Sequence, residues 1–230
     1  RTHTFDANTE YDFEGPYTSV IFASGGTLPT SVSITTVLSS PGATNSMDPM
    51  ARYYTIAQTG GSGFSCTLRL HYEDAELTSP NTEANPPLKI WRRTSTGPDV
   101  WVREGATGNS TSLNWVEQSG ITNTGTFSLS SRVVANLVLT LLQNVTHPSP
   151  GDEVTYTLQY SNTGDGVSTN TLFTAAAPSY VEGSTTINGV PKTDAADADE
   201  VTVSGSAISI NLGSVPSGSS GYFVYRVIIN

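Results

Sequence analysis

The densest run of side chains able to do chemistry is KTDAADADEV, which brings Asp194, Asp197, Asp199 and Glu200 into close succession. Calcium takes roughly six to eight oxygen ligands and is often held by aspartates at alternate loop positions, so Asp197 and Asp199, with backbone carbonyls, form a candidate site. The run lacks the turn glycine and terminal Glu of an EF-hand. A solvated loop between strands at Thr185 and Val201 is the competing reading. The NTGDG stretch around Asp165 reads either as a ligand loop or as a tight turn in which Asn and Gly supply positive φ.

Acid pairs such as Glu73 and Glu76 have the side chains for glycosidic hydrolysis, but that chemistry depends on a separation that spacing alone does not define. There is no HExxH, GxSxG, Walker or CxxC motif, and His3, His71 and His147 lie in unrelated contexts. The chain is therefore not expected to be an enzyme. Cys66 excludes an internal disulfide, and in FSCTLRLHY it shares a face with Phe64, Leu68, Leu70 and Tyr72, the setting of a core thiol. His71 falls on the other face of that strand, so the pair needed for a thiol nucleophile is missing.

Trp91, Trp101 and Trp115, with Tyr53 and Tyr54, are candidates for a carbohydrate groove, since flat rings stack on sugars; core burial is the commoner fate of Trp in strands such as LKIWRR and VWVRE. Asn109-Ser110-Thr111 and Asn144-Val145-Thr146 are sequons, so Asn109 and Asn144 are candidate glycosylation sites.

The elements that must position these residues are strands. YTSVIFAS, RYYTIAQ, FSCTLRLHY, LVLTLLQ, EVTYTLQYSN and GYFVYRVII alternate or are rich in β-branched and aromatic residues, and turn signals such as TGGSG, STGPD and NGVP separate them. No helical period is sustained. The expected fold is all-β: two tandem antiparallel, Ig-like β-sandwich domains with an N-terminal strand extension. The boundaries expected are residues 1–14 for the extension, 15–132 for the first sandwich and 136–230 for the second. All three Trp residues precede that second boundary, and both halves are acidic, −4 for 1–132 and −6 for 133–230.

A net charge of −10, with two lysines in the whole chain, argues against nucleic acid or anionic lipid as partner. Charged residues are 13% of the chain, a habit of exported β-proteins. No apolar run reaches the length of a membrane span, and a start at Arg1 is consistent with removal of a secretion signal.

The run HPSPGDEVTYTLQYSNTGDGVSTN, followed by PSYVEGSTTING and ISINLGSVPSGSSGYFVYRV, resembles the conserved repeat domain, of unassigned biochemical function, that recurs in tandem in large prokaryotic surface and secreted proteins. The residues that carry the resemblance are Pro150-Gly151-Asp152, Tyr156, Asn162-Thr163-Gly164, Leu212-Gly213 and the pair Pro216 and Gly218, within about residues 136–230. One position departs: Ala175 stands where the family usually has the Asp of an Asp-x-x-Pro step that here keeps Pro178. The first half, through RYYTIAQTGGSGFSCTLRLHYEDAEL, LKIWRR and LNWVEQSGIT, is similar to a module of bacterial exported proteins. The resemblances imply secreted β-sandwiches and no catalysis.

In TFDANTEYDF, Phe5, Ala7, Thr9, Tyr11 and Phe13 share one side, and Asp6, Asn8, Glu10 and Asp12 share the other. The segment is expected either to open its own sandwich or to complete a sheet in a neighbouring subunit, the donor-strand mode. Burying its large apolar residues would contribute on the order of 6–9 kcal/mol gross. The expectation is an extracellular or cell-surface structural protein, a filament or fibre subunit joined head-to-tail to copies of itself by that strand. A glycan-binding or adhesive module that contacts glycans or a host or cell surface is the alternative. No cofactor is expected apart from calcium, and no membrane insertion.

Overall fold

The computed structural model describes residues 4–42, 47–94 and 100–230. His3 and Asp99 lie outside the described residues. The chain forms two compact units, Arg1–Arg132 and Val133–Asn230. Among the described residues there is no α-helix, and the four antiparallel open sheets are consistent with two β-sandwiches.

The first unit runs β1 (Glu10–Glu14), β2 (Thr18–Phe22), β3 (Ser31–Val37), β4 (Tyr53–Thr59), β5 (Cys66–His71), β6 (Lys89–Arg93), β7 (Trp101–Gly105), β8 (Gly108–Ser110), β9 (Trp115–Ile121) and β10 (Gly125–Ser130). One five-stranded sheet has the order β1-β2-β5-β9-β8, the other β3-β4-β10-β6-β7. Period-two alternation sends one face of each sheet inward. Val20, Phe22, Leu68, Leu70 and Val116 from the first sheet meet Val32, Ile56, Ile90, Phe127 and Leu129 from the second in a single core. Cys66 and Met50 are in that core, while Met47, Trp91 and Trp101 form a separate buried cluster.

The second unit runs β11 (Leu137–Gln143), β12 (Glu153–Asn162), β13 (Ser168–Ala176), β14 (Thr186–Ile187), β15 (Val190–Pro191), β16 (Val201–Ser204), β17 (Ala207–Val215) and β18 (Ser220–Ile228). Its sheets have the orders β11-β12-β18-β14-β15 and β13-β17-β16, five strands against three. Val154, Phe223, Tyr225 and Val227 pack on Ile208, Ile210 and Val201 between them.

The turns that shape this unit follow from local chemistry. Asn162 is buried, donates through Nδ2 to the carbonyls of Gly166 (2.8 Å) and Val215 (3.0 Å), and accepts at Oδ1 from the amides of Asn136 (3.0 Å) and Gly164 (3.1 Å). Gly164 is needed for space rather than for positive φ: a Cβ there would lie 2.2 Å from the Val134 carbonyl oxygen. The expected positive-φ turn is thus corrected to a close backbone approach. In the Pro150-Gly151-Asp152 turn, by contrast, Gly151 does have φ +91°, and Asp152 accepts the Ser149 amide at 2.7 Å.

Candidate functional site

The N-terminal segment lies on its own unit. β1 pairs antiparallel with β2, Tyr11 opposite Val20 and Asp12 opposite Ser19. The strand is shorter than the alternation predicts, starting at Glu10 rather than Phe5. Asn8 takes φ +62°, which turns the chain, and the Asn8 amide donates to the Phe22 carbonyl at 2.7 Å. As a result Phe5 doubles back into the core, with its ring 4.9 Å from Tyr11 and 5.1 Å from Phe22. Tyr11 and Phe13 pack against the same core, but Ala7 and Thr9 are exposed. The acidic side is engaged as well as solvated: Glu10 accepts from Ser19 Oγ (2.6 Å) and from Arg69 (2.8 Å), and Glu14 faces Arg52 at 3.6 Å.

The acidic loop closes on itself. Asp194 accepts from the Tyr180 hydroxyl (2.6 Å) and the Gly183 amide (2.7 Å); Asp197 accepts from Thr193 Oγ1 (2.6 Å) and the Asp199 amide (2.9 Å). Asp199 caps the Val201 and Thr193 amides, both at 2.8 Å, and these bonds lower its pKa. Lys192 pairs with Glu200, holding the carboxyl below and the ammonium above their ordinary values. No group of three or more His, Cys, Asp or Glu among the described residues is placed to hold a metal.

The remaining candidates are dispersed. Glu76 receives the Arg52 Nε at 2.7 Å and caps the Glu73 amide at 2.9 Å, so the acid pair serves a local turn. Cys66 is buried, and burial pushes its thiol up to about 12, far from a nucleophilic thiolate. Trp91 and Trp101 are buried and offer no face to a sugar. Trp115 is half-buried, with the Arg69 guanidinium 4.6 Å above its ring. Asn109 sits exposed on the edge strand β8; Asn144 is exposed too, but its Oδ1 accepts the Thr155 amide at 2.7 Å.

Sequence reasoning missed the open flank of the second unit. β11 and β13 are edge strands, and between them a cavity of about 260 Å³ opens, with Leu139, Leu141, Phe173 and Ala175 as walls and Ile208 and Phe223 on the floor. Leu139 and Leu141 face the inside of the sandwich yet remain about half exposed, at 49% and 57%. Their reading as a strand is plain in LVLTLLQ; the signal for their exposure is that residues 133–146 carry no Asp, Glu, Lys or Arg to guard the edge. An edge of this kind has the main-chain groups to pair with extended backbone and, in these walls, apolar surface to meet its side chains. No described helix is long and apolar enough to cross a membrane. Comparison with protein-family models, with curated proteins and with solved structures found no match to the chain.

Proposed function

We propose that the chain is an extracellular structural subunit of a surface filament or fibre, whose copies join head-to-tail by β-strand complementation through residues 4–14. The second unit is read as an Ig-like conserved-repeat sandwich, on the motifs Pro150-Gly151-Asp152 and Asn162-Thr163-Gly164. The observation that carries the proposal is the way β1 is attached. It is an edge strand whose link to β2 is the single 3-10 turn Gly15–Tyr17, with Gly15 at φ +61°.

Opening that hinge lets β1 leave its own β2 and take the same place on the β2 of a neighbour. Every bond then re-forms between copies: Phe5, Tyr11 and Phe13 in the core, Glu10 on Arg69, Glu14 near Arg52. Exchange of an identical element costs little, and short hinges favour it. A head-to-tail contact that does not close generates a filament. For the glycan-binding alternative, Trp91, Trp101 and Tyr54 are buried, Trp115 and Tyr53 are half-buried, and one face of the Trp115 ring lies under Arg69.

Electron microscopy of the full chain beside a chain lacking residues 1–13, at high concentration and after long incubation, tests the reading. Filaments that vanish on truncation while the shortened chain stays folded are expected. Monomers in both samples overturn it.

A further inference from the structure

We infer that β11 is a self-pairing edge: two copies of the chain join through an antiparallel β11–β11 contact with Thr140 on the two-fold axis, merging two five-stranded sheets into one continuous sheet. This inference stands independently of the head-to-tail reading, because it uses a different strand in the other unit.

The register follows from the residues. β11 pairs with β12 without a shift, Leu137 opposite Asn162 through Gln143 opposite Tyr156. At the two ends of that ladder the Thr163 amide donates to the Asn136 carbonyl (2.8 Å) and the Asn144 amide to the Thr155 carbonyl (3.2 Å). Even-numbered residues therefore direct their main-chain groups toward β12. Antiparallel ladders alternate, so Leu137, Leu139, Leu141 and Gln143 direct theirs to the open edge.

Centring a second β11 on Thr140 satisfies that edge completely. Leu139 exchanges main-chain bonds with Leu141 of the second copy, and Leu137 with Gln143. On the groove side this sets Leu139 beside Leu141 and covers the half-exposed walls. On the outer side Val138, 44% exposed, meets Leu142, 47% exposed. Val138, Leu139, Leu141 and Leu142 each find an apolar partner, Leu137 lies beside the amide of Gln143, and Thr140 meets itself in a close, non-hydrogen-bonded pair.

Charge selects the same occupant. In a chain of net charge −10, copies repel over most of their surface, and residues 133–146 are an uncharged stretch where two can approach. Native edges are usually blunted by charge, proline or bulges, and β11 has none of them. One strand per copy gives a small interface, at the low end of the specific range near about 1,000–1,200 Å², so the dimer is concentration-dependent.

Sedimentation of the full chain over a concentration series, with Thr140→Lys beside it, is the test. Thr140 is exposed, so the lysine leaves the fold alone but puts like charges opposite each other, and dimerisation should weaken by about two- to fivefold. Thr140→Cys should cross-link to itself under mild oxidation, since directly opposite Cβ atoms lie within reach of a disulfide; Val138→Cys, which faces Leu142, should do so far less, as should Leu172→Cys on β13. A chain that stays monomeric throughout, or equal cross-linking at the three positions, overturns the proposal. Self-association that survives Thr140→Lys but disappears on removing residues 1–13 overturns it too, and supports the head-to-tail link instead.

Discussion

The hydroxyl of Tyr11 accepts the amide hydrogen of Asp6 at 2.7 Å and donates its own to the Thr4 carbonyl at 3.1 Å, closing residues 4–11 into a loop. Tyr11→Phe removes both bonds and keeps the ring on Phe5. Stability should fall by about 1 kcal/mol. Amide hydrogen exchange at Asp6 should accelerate while that of β2 stays slow. Unchanged exchange at Asp6 would show that Phe5 alone pins the segment.

Arg52 is buried, with Nε on Glu76, Nη1 3.3 Å from the Tyr54 hydroxyl and Glu14 at 3.6 Å. Burial works to lower its pKa, but Glu76 and Tyr54 outweigh that and raise it. Arg52→Met strands the shielded Glu76 carboxylate and should cost about 3 kcal/mol in denaturant unfolding. Adding Glu76→Gln should recover part of the loss, because the two side chains act as one pair. Purely additive losses would refute the coupling.

Gly164→Ala forces a methyl against the Val134 carbonyl and Asn136 amide, backbone atoms that cannot swing away. The second unit should lose about 1–3 kcal/mol. Gly183→Asn is the comparison: that residue has φ +68° with open space around it, and Asn tolerates the left-handed region. Its loss should be much the smaller of the two.

Burial holds the Cys66 thiol protonated up to about 12, against an ordinary value of 9.0. The raised folded-state value means that this group's share of stability is intact below pH 9.0 and drains away as pH rises toward 12. Within that window the slope from this thiol is about −1.4 kcal/mol per pH unit. Cys66→Ala starts less stable because it leaves a cavity, but its stability should fall less steeply with alkali. Parallel unfolding curves for the two chains across that window would refute the assignment. In the native state below the window, a thiol reagent should react only as fast as the unit opens.

Alternation was enough to place most strands, because a half-buried sheet imposes period two directly on residue type. In FSCTLRLHY the inward set Cys66, Leu68 and Leu70 is the buried set. The N-terminal segment shows the limit of that signal. Its alternation continues from Phe5 to Phe13, but the left-handed turn at Asn8 interrupts it, and Ala7 and Thr9 end up in solvent. Asn is among the few residues that enter that region readily, so the hint was local and easily outweighed by the pattern around it. Exposure was harder still to read. LVLTLLQ has the composition of a core strand, and only the five-against-three arrangement of the second unit leaves it on an open flank. For the acidic loop the residue types allowed a cation, whereas the geometry commits Asp194, Asp197 and Asp199 to nearby amides and hydroxyls.

The burial of Met47, Met50 and Cys66 reaches beyond packing. These are the chain's three sulfur atoms, and each is shielded inside the first unit. Peroxide or another oxidant in the surroundings meets a surface of hydroxyls, amides, carboxylates and guanidinium groups, none of which enters the sulfur oxidation ladder. Oxidation at sulfur therefore waits on unfolding, and the fold itself is what shields the chain's thioethers and thiol.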